Sequence, residues 1–190
     1  DNVFIGKQSQ RITFKRGEGE IGIENQGLNR WGMNFVAGKT YEGYLYARAE
    51  DPADLFVALE SRDGKVIYAE KQLHVKSADW KRIDFTIVPD SSNKTGRFAV
   101  KLKKAGSVVL GHVFLQPGEW GRYRELPVRK DVTEALIDQG VTVLRYGGSM
   151  INHREYRWKN MIGPRERRPP YRGTWYRHSS CAIQYHSHPL

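Results

Sequence analysis

Between about residues 12 and 115 the chain breaks into short runs in which apolar and polar residues alternate, and each run ends in turn-forming residues. The clearest runs are 40–48 (TYEGYLYAR), 54–60 (DLFVALE), 65–71 (KVIYAEK), 80–88 (WKRIDFTIV), 96–103 (GRFAVKLK) and 107–115 (SVVLGHVFL), with weaker ones at 19–24 and 32–36. Alternate side chains of a strand leave opposite faces of the pleat, so this two-residue period, enriched in Val, Ile, Phe, Tyr and Thr, predicts strands. Helical periodicity is missing here. Ala37-Gly38-Lys39, Arg62-Asp63-Gly64, Asp90-Ser91-Ser92-Asn93 and Ala105-Gly106 supply the positive φ angles and local caps that turns need. Short strands at roughly ten-residue spacing imply a mainly β chain built as a jelly-roll β-sandwich.

Alternation also sorts residues to faces. Met33, Phe35, Tyr41, Leu45, Leu55, Val57, Leu59, Ile83, Phe85, Ile87, Phe98, Val100, Leu102, Val113 and Leu115 are expected to share the core, and Asn34, Tyr44, Tyr46, Arg48, Phe56, Asp84 and Lys101 the opposite face.

After Pro117 the pattern changes. Residues 118–124 read as a linker, and 128–139 (VRKDVTEALIDQ) have helical spacing, with Val132, Leu136 and Ile137 or Ala135 on one side and Gly140 as the C-cap. A short β-branched run, 141–145, then ends in Tyr146-Gly147-Gly148. A helix leading into an apolar strand that ends in glycines is one α-to-β step of an α/β barrel. Beyond Trp158, Gly163-Pro164, Pro169-Pro170 and Arg172-Gly173 predict loop. The expected organisation is a β-sandwich over 1–117, then a linker, a short α/β segment and an irregular C-terminal tail over 118–190.

The chain's 190 residues carry a formal charge of +10, which raises nucleic acid or another anionic polymer as a partner. Along the first two thirds, basic and acidic residues intermix, as on a solvated surface, and Lys101–Lys104 read that way. The denser basic stretch is 154–177, but no nucleic-acid-binding motif accompanies it, and nucleic acid is not expected as a partner. The single cysteine, Cys181, excludes an intrachain disulfide and a thiolate zinc cluster. No apolar run of about 18 residues predicts a membrane span. The chain starts at Asp1, which suits a mature secreted chain, extracellular or periplasmic, whose signal peptide has gone.

Residues 144–168, LRYGGSMINHREYRWKNMIGPRERR, resemble the first-strand motif of glycoside hydrolase family 51, the α-L-arabinofuranosidases. In that family an Arg-aromatic-(Pro)-Gly-Gly strand end is followed by a Trp-containing loop and a Gly-Pro turn. The helix before 144 matches the helix entering that strand, and GKTYEGYLYAR, ADWKRIDFTI and VFLQP resemble the sandwich that precedes the barrel in many of those enzymes. More distantly they resemble family 4/9-type carbohydrate-binding modules.

The resemblance implies a carbohydrate-binding sandwich followed by the first part of a catalytic barrel, with the rest of the barrel as its partner. Retaining glycosidases use two carboxylates about 5 Å apart, which the family carries on later barrel strands, so no catalytic residue is assigned here. Glu155 and Glu166 are read as loop salt-bridge partners. The position after the glycines lines the sugar pocket in the family, and here it is Ser149. The family's Pro is absent after Tyr146, and Ser149 stands where Asn or Cys is usual. Arg145 and Trp158 would hold the loop and barrel rim, and Trp80 would pack under the sandwich.

Sugar rings bind to flat aromatics flanked by planar hydrogen-bonding groups. On that ground Trp31, Tyr44 and Tyr46 are candidate stacking residues, and Asn34, Arg48 and Asp84 candidate hydrogen-bonding neighbours, for a polysaccharide or oligosaccharide of arabinoxylan, arabinan or xylan type. The alternative is that this face is covered, by the barrel or by the N-terminal segment. No cofactor is expected. A structural calcium could draw on Glu18, Glu20, Glu24 and Asp63, although their spacing resembles no organised oxygen cage. His178, Cys181, His186 and His188 lie close together near the chain end without metal-ligand spacing, so no metal site is assigned. The competing functional readings are an α-L-arabinofuranosidase itself, and anionic-polymer binding through 154–177.

Overall fold

The computed structural model describes residues 2–6, 8–145, 157–168, 170–171 and 183–184. Its contacts divide the chain into two compact units: Asp1–Phe4 with Gln8–Trp120, and Ile5–Lys7 with Gly121–Leu190.

The first unit is an antiparallel β-sandwich of β1 (Gln10–Phe14), β2 (Ile21–Asn25), β3 (Met33–Phe35), β4 (Tyr41–Arg48), β5 (Ala53–Glu60), β6 (Ile67–Val75), β7 (Lys81–Ile87), β8 (Asn93–Leu102) and β9 (Gly106–Pro117). One sheet has the order β1-β9-β4-β7; the other runs β2-β8-β5-β6, with β3 also pairing with β8. The outer strands of the sequence thus pair in one layer, and the next ones inward, β2 and β8, pair in the other. That nesting of Greek keys is a jelly roll.

The alternation is realised side chain by side chain. Along β4, Tyr41, Leu45 and Ala47 are buried between Glu42, Tyr44, Tyr46 and Arg48, which are half-buried on the outer face. Leu45, Leu55, Val57, Leu59, Leu102 and Val108 are fully buried, each contributing about 1.5–3 kcal/mol from area removed from water. Met33, Ile83, Val113 and Leu115, expected in the core, sit half-buried at its margin. Three features extend the expected pattern. β1 contributes Ile12 to the core. β6 begins later than the run at 65–71 and continues to Val75. This register sets Leu73 opposite Leu55 and Val75 opposite Ala53, so both are buried.

The solvated reading of Lys101 is overturned. Lys101 is 3% exposed and bonds Glu60, which is 0% exposed. Both lie on the outer face of the β2-β8-β5-β6 sheet, where Ala58 faces Ala99 across β5 and β8 and leaves room for long side chains to lie flat.

In the second unit, α1 (Lys130–Asp138) ends at Gly140, whose φ of 70° is a left-handed conformation that glycine adopts without Cβ strain. Val132 and Ile137 on its apolar side are exposed. The expected strand at 141–145 is not formed; these residues take no regular secondary structure and Val143 is 82% exposed. A barrel strand is held by neighbours on both sides, and none pairs with it among the described residues. Trp158–Met161 and Arg165–Arg167 form short 3-10 turns, joined by Arg168 donating to the Gly163 carbonyl at 2.9 and 3.1 Å. Past them, β10 (Pro170–Tyr171) pairs with β11 (Ile183–Gln184), where loop was expected. Glu166 is buried, 6% exposed. Tyr146–Ser149, Glu155, His178, Cys181, His186, His188 and, within 154–177, residues 154–156, 169 and 172–177 lie outside the described residues. No described helix is long and apolar enough to cross a membrane.

Candidate functional site

The structure brings Tyr44, Tyr46, Arg48 and Asp84 together on the outer face of the β1-β9-β4-β7 sheet. Tyr44 stands opposite Asp84 of β7 and Phe114 of β9, and Tyr46 opposite Arg82 and His112. These groups engage one another. The Arg82 guanidinium lies 4.1 Å over the Tyr44 ring and bonds Asp84 through Nε at 3.0 Å and Nη2 at 2.7 Å, and that hydrogen bond holds Arg82 above its ordinary pKa. Phe4 stacks on Tyr46, and the Trp80 indole N–H donates to the Asn2 side chain at 2.9 Å. Arg48 lies 5.5 Å over Trp80 and bonds Glu50 at 2.9 Å. Trp80 is therefore half-buried against Phe4 and Arg48, beside the N-terminal segment. Gly111 leaves the space that Phe4 occupies.

Trp31 and Asn34 stand elsewhere, at the β3 margin of the other sheet. Trp31 follows a short 3-10 turn, Leu28–Arg30, in a loop closed by the Gly32 N–H donating to the Gln26 carbonyl at 2.7 Å. Gly27 N–H donates to Asn25 Oδ1 at 2.8 Å and Arg62 Nη2 to the Arg30 carbonyl at 3.1 Å. Asn29 and Arg30 take left-handed φ values of 51° and 59°. Gly32, at φ 99°, lies so close to the Thr95 backbone that a Cβ would collide with it. The result is a tightly bonded loop that holds Trp31 68% and Leu28 76% exposed.

Beside this loop the sandwich is open along one side. β1 pairs with β9 only as far as Leu110, so the second half of β9 has no β1 residue beside it. A cavity of about 550 Å³ fills the gap, with an apolar floor from Ile23, Met33, Phe98, Val100, Val113 and Leu115. Glu24, Asn25, Gln26 and Arg30 form its rim. Gln26 Nε2 donates to Glu24 at 2.6 Å, Arg30 Nε donates to Gln26 Oε1 at 3.3 Å, and Arg30 lies 3.5 Å from Glu24. Gln26 and Arg30 are absent from the sequence-derived candidates. Their one sequence signal was adjacency to Trp31, because the opening itself depends on where β1 stops.

The outer face of the β2-β8-β5-β6 sheet carries a charge network. Lys101 bonds Glu60, Glu20 at 2.9 Å and lies 3.6 Å from Glu70, while Arg97 bonds Glu60 at 2.8 Å and also Glu24. Burial pushes the Lys101 ammonium down more than any other single influence, but Glu60 and Glu20 together hold it above the usual lysine value. Of the carboxylates considered for calcium, Glu20 and Glu24 are thus spent on cations and Asp63 on Ser61 and Lys65, while Glu18 is exposed. Among the described residues no three His, Cys, Asp or Glu side chains group as a metal site.

Over 82% of its length the chain is 27% identical to α-L-arabinofuranosidase 1 of Arabidopsis thaliana, matching 24% of that protein. It is also 27% identical, over 87% of its length, to 22% of the extracellular exo-α-L-arabinofuranosidase of Streptomyces chartreusis. The chain resembles the α-L-arabinofuranosidases. An arabinose-bound glycoside hydrolase family 51 α-L-arabinofuranosidase shares its fold, with a TM-score of 0.79 at 20% identity, over 96% of this chain and 30% of that one. No protein-family model matches. The chain spans about a quarter of the length of these curated relatives, all glycoside hydrolases of the arabinofuranosidase type.

Proposed function

We propose that the sandwich is a non-catalytic sugar-binding module of a secreted α-L-arabinofuranosidase-type protein, with arabinoxylan, arabinan or xylan as its ligand. The observation that carries this reading is Trp31, a large aromatic held 68% exposed on a tightly bonded loop. Exposed indoles are costly to leave in water and stack well on the C–H faces of sugar rings. Asn34, three residues on, adds a planar amide at the same margin. Tyr44, Tyr46, Arg48 and Asp84 are a second aromatic and polar surface, already partly covered by Phe4 and Arg82.

Residues 118–190 are read as linker and entry to a glycosidase barrel, with Ser149 at its glycone pocket. Catalysis by a retaining glycosidase needs paired carboxylates about 5 Å apart and free to exchange protons. The clustered Glu20, Glu24, Glu60 and Glu70 are instead neutralised by Lys101 and Arg97, which supports a binding role. A secreted location is supported by the relative named as extracellular.

Affinity electrophoresis in gels containing arabinoxylan or arabinan tests the reading. The wild-type chain is retarded, and Trp31→Ala weakens the retardation. Equal mobility with and without polysaccharide rejects sugar binding. Turnover of nitrophenyl α-L-arabinofuranoside by the purified chain rejects the non-catalytic role.

A further inference from the structure

We infer that the side cavity between β2, the 26–32 loop and β9 is a binding site for the end of a short neutral saccharide, with Gln26 and Arg30 as its hydrogen-bonding residues. The inference rests on the sugar-binding reading above and deepens it, from an exposed aromatic to an end-binding side cavity.

The chemistry of the walls selects the ligand class. A furanose or pyranose ring has apolar C–H faces and a girdle of hydroxyls that both donate and accept. The cavity matches this with an apolar floor, in which Met33, Phe98 and Leu115 offer surfaces to C–H groups, and a rim of planar polar side chains. The Glu24–Gln26–Arg30 chain already fixes the rim in orientation. Exposed Arg30 has further N–H groups to donate, and Asn25, whose Oδ1 accepts from Gly27, keeps its amide N–H groups for a ligand.

Charge at the rim is balanced: its one carboxylate, Glu24, and its one guanidinium, Arg30, lie 3.5 Å apart, so neither a carboxylated sugar nor a cation is favoured. Size sets the length. About 550 Å³, inside the roughly 300–1,000 Å³ of small-ligand sites, accommodates a few sugar rings and not a polymer laid along a sheet.

The backbone offers an independent observation. Arg30 is held at φ 59°, a conformation uncommon for a non-glycine residue. Such strain persists where surrounding structure enforces it and concentrates at ligand sites. Here it is enforced by the Arg30 N–H to Gly27 and the Arg62 contact to the Arg30 carbonyl, at the lip of the cavity.

The test is calorimetric titration of the full chain with arabinose, α-1,5-linked arabino-oligosaccharides of increasing length, and linear arabinan. Affinity is expected to rise to roughly three residues and then level off. It should be insensitive to salt and weaken about tenfold or more in Arg30→Ala, which removes an exposed group, and in Gln26→Ala, with circular dichroism melts checking that both variants remain folded. Undiminished binding in both variants overturns the cavity assignment and leaves sugar binding by another surface standing. Affinity that keeps growing with chain length overturns the end-binding mode. If the wild-type chain binds no saccharide at all, the underlying sugar-binding reading falls, and the cavity assignment with it.

Discussion

Phe4 lies against Tyr46 with ring centroids 4.2 Å apart and planes inclined by 26°. Its ring is also 5.4 Å from Trp80, so the N-terminal segment closes one end of the aromatic face on β4. That end therefore works as packing surface, whereas Trp31, at the β3 margin of the other sheet, is left 68% exposed.

Removing the Phe4 ring tests this division. Phe4→Ala should destabilise the sandwich by about 2 kcal/mol, less than a fully buried Phe because the site is only partly enclosed. Urea denaturation measures it. An unchanged midpoint would show that the N-terminal segment contributes nothing to the face.

Lys101→Met should cost about 3 kcal/mol, because it strips a cation from a carboxylate, Glu60, that is 0% exposed. The pH dependence has a definite sign. The Lys101 pKa is raised in the fold: Glu60 and Glu20 outweigh the downward push of burial, its largest single influence. Its contribution is complete below the unfolded lysine pKa of about 10.4 and is lost as pH rises through the higher folded value. Wild type should lose stability over that alkaline window, and Lys101→Met should show a flatter profile there in denaturant titrations.

Asp54 titrates below the usual carboxylate range, first because Gln72 hydrogen-bonds it and next because of His74, 2.7 Å away. A depressed carboxyl contributes stability above its unfolded pKa and loses it as pH falls through the folded one. Carbon-13 NMR titration should find the Asp54 midpoint shifted up in Gln72→Ala and, by less, in His74→Ala. An unmoved midpoint in Gln72→Ala would contradict the assigned cause.

Gly32→Ala should disturb the Trp31 loop, since φ 99° disfavours a side chain and the added Cβ meets the Thr95 backbone. The expected cost is about 2 kcal/mol in stability. Saccharide affinity should fall alongside that of Trp31→Ala, while Tyr44→Ala should leave it nearly unchanged. Full affinity in Gly32→Ala would separate the loop from binding.

Strands β4, β5, β7, β8 and β9 and their inward residues were legible because each carries its own alternation; Leu45, Leu55, Val57 and Leu102 could face only the core. β1 was missed because a short edge strand carries a weak pattern and owes its place to β9. Residues 141–145 read as a strand because their β-branched run is locally suited to one, yet a strand exists only where neighbours supply hydrogen bonds. The candidate site split for a related reason. Tyr44 and Asp84 do stand together, but Asn34 belongs to a strand that pairs with β8 in the opposite layer.

The sequence by itself determined that the chain forms short strands, which side of each faces inward, and where the turns fall, because those depend on neighbours along the chain. Only the tertiary structure decided that Lys101 would be buried against Glu60, that Phe4 would cover Tyr46, and that β1 would stop short of a cavity beside Trp31. Those outcomes depend on which strands the crossing connections bring together, and pairing between residues distant in sequence leaves no local periodicity to read.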